Sequence, residues 1–256
     1  MPRNIWPFLL FFRRTNTVLY FQFINNGSPR WIHSAVILFT SHGKIGLMSI
    51  MILGINAVQN PIDYGVYSES HSIKYAWDGL GNIEQLPLQL KALMSKGGAL
   101  NGVCTILGPG NYTGVRLALT TAKMIAMAQG IPLYGISLFD AYAQVVPTSS
   151  LRVITSVSRK GWLNAQLFQT NTNGVSPIST LHQLALNAMP DWMALFEAPI
   201  IWEHLGDWPG GIDYQPRLVS LDILAVLAHF KSIILTTDLS AKWAPIYAYP
   251  AVAQKS

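Results

Sequence analysis

A chain of 256 residues, half of them apolar and only 11% charged, has material for one large domain or two small ones, and its composition excludes a wholly disordered chain. The single cysteine, Cys104, excludes an internal disulfide, and six scattered histidines with no His-x-x-x-His or Cys-x-x-Cys pair provide no metal-ligand spacing. The formal net charge of +5 fits weak attraction to acidic partners, but no Lys/Arg run of five or more marks a nucleic-acid groove.

The first 47 residues read differently from the rest. Ile5 to Phe12 is apolar but too short to span a bilayer, and Arg13-Arg14 stands where a signal peptide would need small residues. A second apolar run, Ala35 to Thr40, is cut by Ser41-His42-Gly43-Lys44, and no acidic residue precedes Asp63. Acid-poor, Arg-containing sequence also fits a transit peptide. The break in composition favours an extension from an over-extended translation start, with Met48 or Met51 as the first residue of the folded domain and 1–47 dispensable.

From Ile50 the pattern becomes that of a domain. Ile50 to Asn56 is a continuous apolar run, as in a strand buried on both faces. Tyr64–Ser68 and His71–Trp77 are two further strands, and Asn82–Lys96 is an amphipathic helix with Leu86, Leu90 and Leu93 at helical spacing, closed by Gly97-Gly98. Gly102–Leu107 is a buried strand in which Cys104 serves as a small hydrophobe. The stretch Gly108-Pro109-Gly110-Asn111-Tyr112-Thr113-Gly114 then turns the chain into a helix over Val115–Gln129, stopped by Gly130 and Pro132. Leu133–Ile136 is a strand, and Ser137 caps a helix through Ala143. After the polar link Pro147–Ser150, Leu151–Val157 and Trp162–Phe168 form a hairpin around Ser158–Gly161. Thr180–Met189 reads as a helix, Pro199–Trp202 as a strand, Gly206–Pro216 as a loop and Ser220–Phe230 as a helix that Ser232–Thr237 either extends or follows as a strand. Trp243–Pro250 is an extended aromatic tail. The strand-strand-strand-helix-strand-helix order predicts an α/β half followed by a related second half.

The glycine turn is the part of the sequence closest to chemistry. Its glycines allow close approach, Thr113 is placed to cap the helix, and free N–H groups at a helix start attract anions. Gly108, Pro109, Gly110, Asn111, Thr113, Gly114 and Arg116 are therefore an anion- or nucleotide-facing loop, or a tight connection that binds nothing. The turn lacks the Lys-Ser/Thr ending of a phosphate-binding loop, and the next strand lacks the acidic end of a dinucleotide fold, so an independent dinucleotide-dependent enzyme is the alternative reading. Arg116 opposes the helix dipole and is either an arm toward an anion or a solvated side chain. Glu203-His204-x-x-Asp207, placed in the glycine-rich loop, is the best of the weak metal candidates, and no glycine-framed serine elbow is present. Ala118, Ala122 and Ala126 form a ridge of small residues suited to close helix approach.

Gly108 to Leu117, with Thr121-Ala122-Lys123, Gly130-Ile131-Pro132-Leu133 and Gly135-Ile136-Ser137, closely resembles the TsaB (YeaZ) family signature GPGSFTGLRIG…AKGLA…GIPL.GVSSL. Arg159-Lys160-Gly161 is similar to the family's Arg-Arg-Gly hairpin and Pro245-Ile246-Tyr247 to its tail, so the resemblance runs from about Met48 to Ser256.

The resemblance implies the duplicated actin/Hsp70-like ATPase (ribonuclease H-like) fold, with a lobe over 48–147 and a second over 148–256 whose helix near 217–230 packs back on the first. It implies a non-catalytic scaffold subunit, without catalytic residues, cofactor or metal of its own. Such a subunit pairs with the catalytic paralogue TsaD and with TsaE in the complex that threonylcarbamoylates adenosine 37 of tRNAs reading ANN codons. There ATP and a metal ion are used through TsaD and TsaE. A cytoplasmic location, no membrane contact, tRNA contact through the complex and self-association as a homodimer when alone follow in the same way. The partner face implied by the family's four-helix packing comprises Leu86, Leu90, Leu93, Ala118, Ala122 and Ala126. Four positions depart from the family pattern. Asn56-Ala57-Val58 replaces Asp-Thr-Ser, Val157-Ser158-Arg159 replaces Asp-Ala-Arg, Trp162 stands for an acidic residue and Tyr249 for an arginine.

Overall fold

The structure is a computed structural model. It describes residues 8–11, 17–21, 36–39 and 50–248, apart from 60, 70–71, 78–84, 95–98, 147, 149–150, 172–173, 197–198 and 211–214. The glycine stop at 97–98, parts of the 147–150 link and the Tyr249-Pro250 end of the tail lie outside the described residues. The chain separates into Met1–Ile50 and Met51–Ser256. In the first unit, β1 (Phe8–Phe11), β2 (Thr17–Phe21) and β3 (Val36–Phe39) form an antiparallel sheet in that order.

The second unit holds two five-strand arrangements of the same design. In the first, β4 (Ile52–Asn56), β5 (Ile62–Tyr67) and β6 (Ile73–Trp77) form an antiparallel meander. Then β7 (Gly102–Ile106) and β8 (Leu133–Ile136) add parallel to β4, in the order β6-β5-β4-β7-β8. In the second, β9 (Arg152–Arg159), β10 (Trp162–Asn171) and β11 (Gly174–Pro177) repeat the meander. Here β13 (Ile201–Leu205) and β14 (Arg217–Val219) add parallel to β9, in the order β11-β10-β9-β13-β14, and β12 (His182–Ala185) also pairs with β10. The shared order is the duplication read from the sequence, and it defines the expected actin/Hsp70-like class. The hairpin turn at Lys160-Gly161 is also as expected, with Gly161 at φ 76°.

The alternation of β4 sorts its two faces. Leu53 and Ile55 enter a core with Leu86, Leu90 and Leu93 of α1 (Leu86–Met94) and Ala118, Leu119 and Ala122 of α2 (Tyr112–Gln129). Gly54 faces the other way. A Cβ there would stand 2.6 Å from Ile223 Cγ1 and 2.9 Å from Leu227 Cδ1 of α5 (Ile223–Thr236). Gly102 of β7 has the same relation to Ile234. The missing side chains let α5 lie close to the sheet, beside α3 (Leu138–Val145). The helix predicted over Ser220–Phe230 thus runs on through Ser232, and it packs on the first sheet.

One predicted element changes type. Thr180–Met189 is not a helix: His182–Ala185 pairs with Ala165–Trp162 as β12, a single 3-10 turn follows over Leu186–Ala188, and α4 (Met189–Ala194) starts with Pro190 in its first turn. Strand pairing overrides a helical pattern in this short segment, and proline is tolerated only where the new helix begins. Among the described residues no helix is long and apolar enough to cross a membrane.

Candidate functional site

The glycine turn is built as a clasp. It leaves the C-terminal end of β7 through a cis Gly108-Pro109 bond with Gly108 at φ 105°. A Cβ on Gly108 would collide with the Ile246 carbonyl, and one on Gly110 with the Val58 carbonyl. The Asn111 N–H donates to Val58 O (2.8 Å), the Leu138 N–H to Gly108 O (2.6 Å) and the Ile246 N–H to Leu107 O (2.7 Å). Carbonyl oxygens of this chain therefore occupy the close approaches that the glycines open. Oxygen dipoles repel a phosphate at Gly108 and Gly110, which weighs against the anion-facing reading of Gly108, Pro109, Gly110, Asn111, Thr113, Gly114 and Arg116, and the loop fastens the post-β4 segment and the tail to α2.

Two details of that reading also change. Helix α2 begins at Tyr112, and its cap is Asn111, whose Oδ1 accepts from the Gly114 N–H at 3.0 Å, so Thr113 sits inside the first turn. Arg116 is exposed and lays its guanidinium 4.2 Å from the centroid of the Tyr112 ring, which itself stacks on Tyr247 at 5.2 Å. This is a surface cation–π contact one helical turn apart.

The six side chains expected on a partner face are turned inward. Leu86, Leu90, Leu93, Ala118, Ala122 and Ala126 are all at most 6% exposed and belong to one core. The alanines are small because α2 lies close to its own sheet. The outward faces of the two helices carry Leu88 (68% exposed), Met124 (66%) and Met127 (83%) instead.

Glu203 and His204 lie on β13 rather than in the loop, and both are buried. Glu203 Oε1 accepts from the Tyr142 hydroxyl at 3.1 Å, and Oε2 accepts from Arg152 Nη1 at 3.4 Å. Arg152 also donates to Val146 O (2.6 Å) and Ala143 O (2.5 Å), so the guanidinium closes the C-terminal end of α3. His204 meets the Asp207 backbone carbonyl (3.2 Å) and the Thr155 hydroxyl (3.0 Å), and burial lowers its pKa. With these partners the Glu203-His204-x-x-Asp207 set is a packing cluster. Among the described residues no three His, Cys, Asp or Glu side chains gather to hold a metal. Burial pushes the Cys104 thiol up to about 12, in keeping with an inert core residue.

A second locus escaped the sequence reading. A cavity of about 140 Å³ opens where β4 and β5 meet the loop after β13 and the start of α5, with Asn56, Gln59, Asp63, Lys74 and Gly206 in its wall. Asp63 is 6% exposed. Its Oδ2 accepts from the Ile223 N–H at 3.3 Å, while no protein group bonds its Oδ1. Burial drives the Asp63 carboxyl up to about 7, against the lowering effects of the Ile223 N–H, Lys74 and Asn56. Lys74 Nζ is bonded to Asp222 Oδ1 at 3.1 Å. The one available signal was an acidic residue inside the apolar run Ile62-Asp63-Tyr64.

Two related sheets with helices on both sides of the first define a duplicated α/β fold of the actin-like class. The chain shares that fold with YeaZ from Pseudomonas aeruginosa (14% identity, TM-score 0.56, covering 77% of this chain and 100% of that one). A second crystal structure, of an uncharacterized protein with similarity to peptidase YEAZ from the same organism, matches at 16% identity and TM-score 0.57, over 78% of this chain and 100% of the other. The family model for TsaD, tRNA N6-adenosine threonylcarbamoyltransferase, matches residues 85–158, which hold α1, the glycine turn, α2 and the strand of Arg152. No curated protein matches the chain.

Proposed function

We propose that this chain is a TsaB-like, non-catalytic subunit that supports threonylcarbamoylation of adenosine 37 in tRNAs reading ANN codons by docking on TsaD, with TsaE completing the complex. ATP, metal and tRNA are then handled through those partners. The observation that carries the reading is the outward face of α1 and α2. Three long apolar side chains, Leu88, Met124 and Met127, stand in solvent on helices whose inner faces are fully packed. Exposed apolar side chains of this kind mark an interaction face, and methionine adapts readily to a partner. The turn's carbonyl-lined interior weighs against the rival dinucleotide-dependent enzyme.

The test mixes the full chain with TsaD from its own organism on a sizing column. Co-elution is expected, and Met124→Glu with Met127→Glu should abolish it while leaving the melting temperature within about 2 °C, because exposed substitutions cost little. Unchanged co-elution of the double variant would move the interface elsewhere. No association, together with tight dinucleotide binding by the chain alone, would reverse the reading.

A further inference from the structure

The outward stripe of α2 is not uniform in chemistry. Tyr112, Arg116, Thr120, Met124 and Met127 are all exposed and recur at helical spacing, while Val115, Ala118, Leu119 and Ala122 are buried. The two methionines form its C-terminal half. Arg116 precedes Met124 by two turns, about 12 Å along the axis. Its guanidinium lies 4.2 Å from the centroid of the Tyr112 ring, and that ring stacks on Tyr247 at 5.2 Å. Tyr247 is held in turn, because the tail is tied down beside it. The Ile246 N–H donates to Leu107 O (2.7 Å), Lys123 Nζ to Trp243 O (2.8 Å) and Trp243 Nε1 to Leu133 O (2.8 Å). The cation is thus set in place without a counter-charge. Among the described residues the basic members of ion pairs are Lys74, Arg152, Arg217 and Lys231, and α2 contains no acidic residue.

We propose that Arg116 is the polar anchor of this face and takes a carboxylate of TsaD, while Met124 and Met127 take an apolar patch about 12 Å further along the helix. The inference rests on the docking reading above and specifies the chemistry of the partner: an apolar surface with an acidic side chain at one end. The complementarity is in the charges, since the stripe carries a cation and no anion. A guanidinium stacked on a ring keeps its in-plane N–H fork free for a carboxylate, which it grips with two parallel bonds. The stack on Tyr112 and Tyr247 also limits the rotamer freedom that Arg116 loses on binding, and arginine and tyrosine are the side chains on which interface energy concentrates. An RNA phosphate would satisfy Arg116 but leave both methionines in water, so the mixed stripe favours a protein partner.

The full chain is titrated with TsaD from its own organism by calorimetry at about 50 mM and about 500 mM salt, which screens exposed charges. Affinity of the parent should weaken as salt rises. Arg116→Gln should weaken binding roughly ten-fold at the lower salt and remove most of the salt dependence. Tyr112→Leu takes away the ring but keeps the cation, and should weaken binding several-fold. Met124→Ala removes apolar contact alone, so it should weaken binding and leave the salt dependence of the parent. All three positions are exposed, and melting curves verify that each variant folds. Arg116→Gln binding like the parent, with the same salt dependence, overturns the proposal; loss of binding by the methionine double variant in that same experiment would leave the docking reading standing. Failure of the parent to bind TsaD overturns both. An Arg116→Gln chain that keeps full affinity for TsaD but weakens tRNA binding by the assembled complex overturns the proposal in favour of a phosphate.

Discussion

Arg152 is 0% exposed, yet it is the side chain that joins the end of the first half to the second sheet. Its guanidinium reaches two carbonyls at the end of α3 and the Glu203 carboxylate on β13, while the Tyr142 hydroxyl holds the other Glu203 oxygen. Removing Arg152 leaves the buried Glu203 carboxylate only the Tyr142 hydroxyl and a long contact, 3.9 Å, with the exposed Arg217 guanidinium. Arg152→Met should therefore destabilise the fold by about 3–5 kcal/mol, measured by urea unfolding, whereas Arg152→Met with Glu203→Leu should recover much of the loss. A single variant as stable as the parent would show that the pair contributes nothing. Arg152 was visible in the sequence as a charge within the apolar strand Leu151–Val157, whereas Glu203 read as part of the glycine-rich loop beyond Trp202. Their pairing was not visible, because it depends on β9 and β13 lying side by side in parallel register, with Ile201 opposite Arg152 and Glu203 opposite Ile154. Asp63 was hidden for the same reason: the N–H that it binds is 160 residues away.

At the scale of elements, periodicity identified α2 but not its orientation. Ala118, Ala122 and Ala126 lie on one face, and so do larger residues on others, so spacing alone leaves open which face meets the sheet. The contacts with Leu53, Ile55 and Val103 decide it. Substituting Ala122 now tests packing rather than association. Ala122→Leu should cost about 1–3 kcal/mol by overfilling the space between α2 and the sheet, and should lower the melting temperature. Ala122→Arg, which the outward reading would have made a docking mutant, should unfold the chain before TsaD binding can be measured. If Ala122→Leu melts with the parent, the helix is not seated as described. The second half was less legible. It keeps the strand order of the first half, but the described residues between β13 and β14 hold no helix corresponding to α2. The pattern that would have revealed a simple repeat is therefore missing.

For the whole molecule, charge and topology point in different directions. All of the +5 net charge comes from residues before Met48, which hold five basic and no acidic residues, so 48–256 is balanced at twelve of each. Residues 48–256 are thus neutral, and electrostatic attraction to acidic partners falls to the first 47 residues. Within the neutral body, Asp63 stands where the two halves meet, because it binds the first N–H of α5, the helix that returns from the second half to the first sheet. Its carboxyl is raised from 3.8 to about 7 by burial. Between those values the folded chain holds a proton that the unfolded chain has lost, so Asp63's contribution to stability is fully present below about 4 and declines as pH rises through about 7. At one pKa unit per 1.36 kcal/mol, the change is on the order of 4 kcal/mol. His204 acts in the opposite sense: burial lowers its pKa below 6.5, so stability falls as pH drops beneath that value. Comparing the parent with Asp63→Asn cancels the histidine, since both chains carry it. Asparagine keeps an oxygen for the Ile223 N–H and never ionises. Urea unfolding of the two should nearly coincide at about pH 4 and diverge toward about pH 8, with the asparagine variant the more stable there. Curves that stay parallel across that range would mean that Asp63 ionises in the folded chain as readily as in the unfolded one, and that the junction of the two halves carries no buried acid.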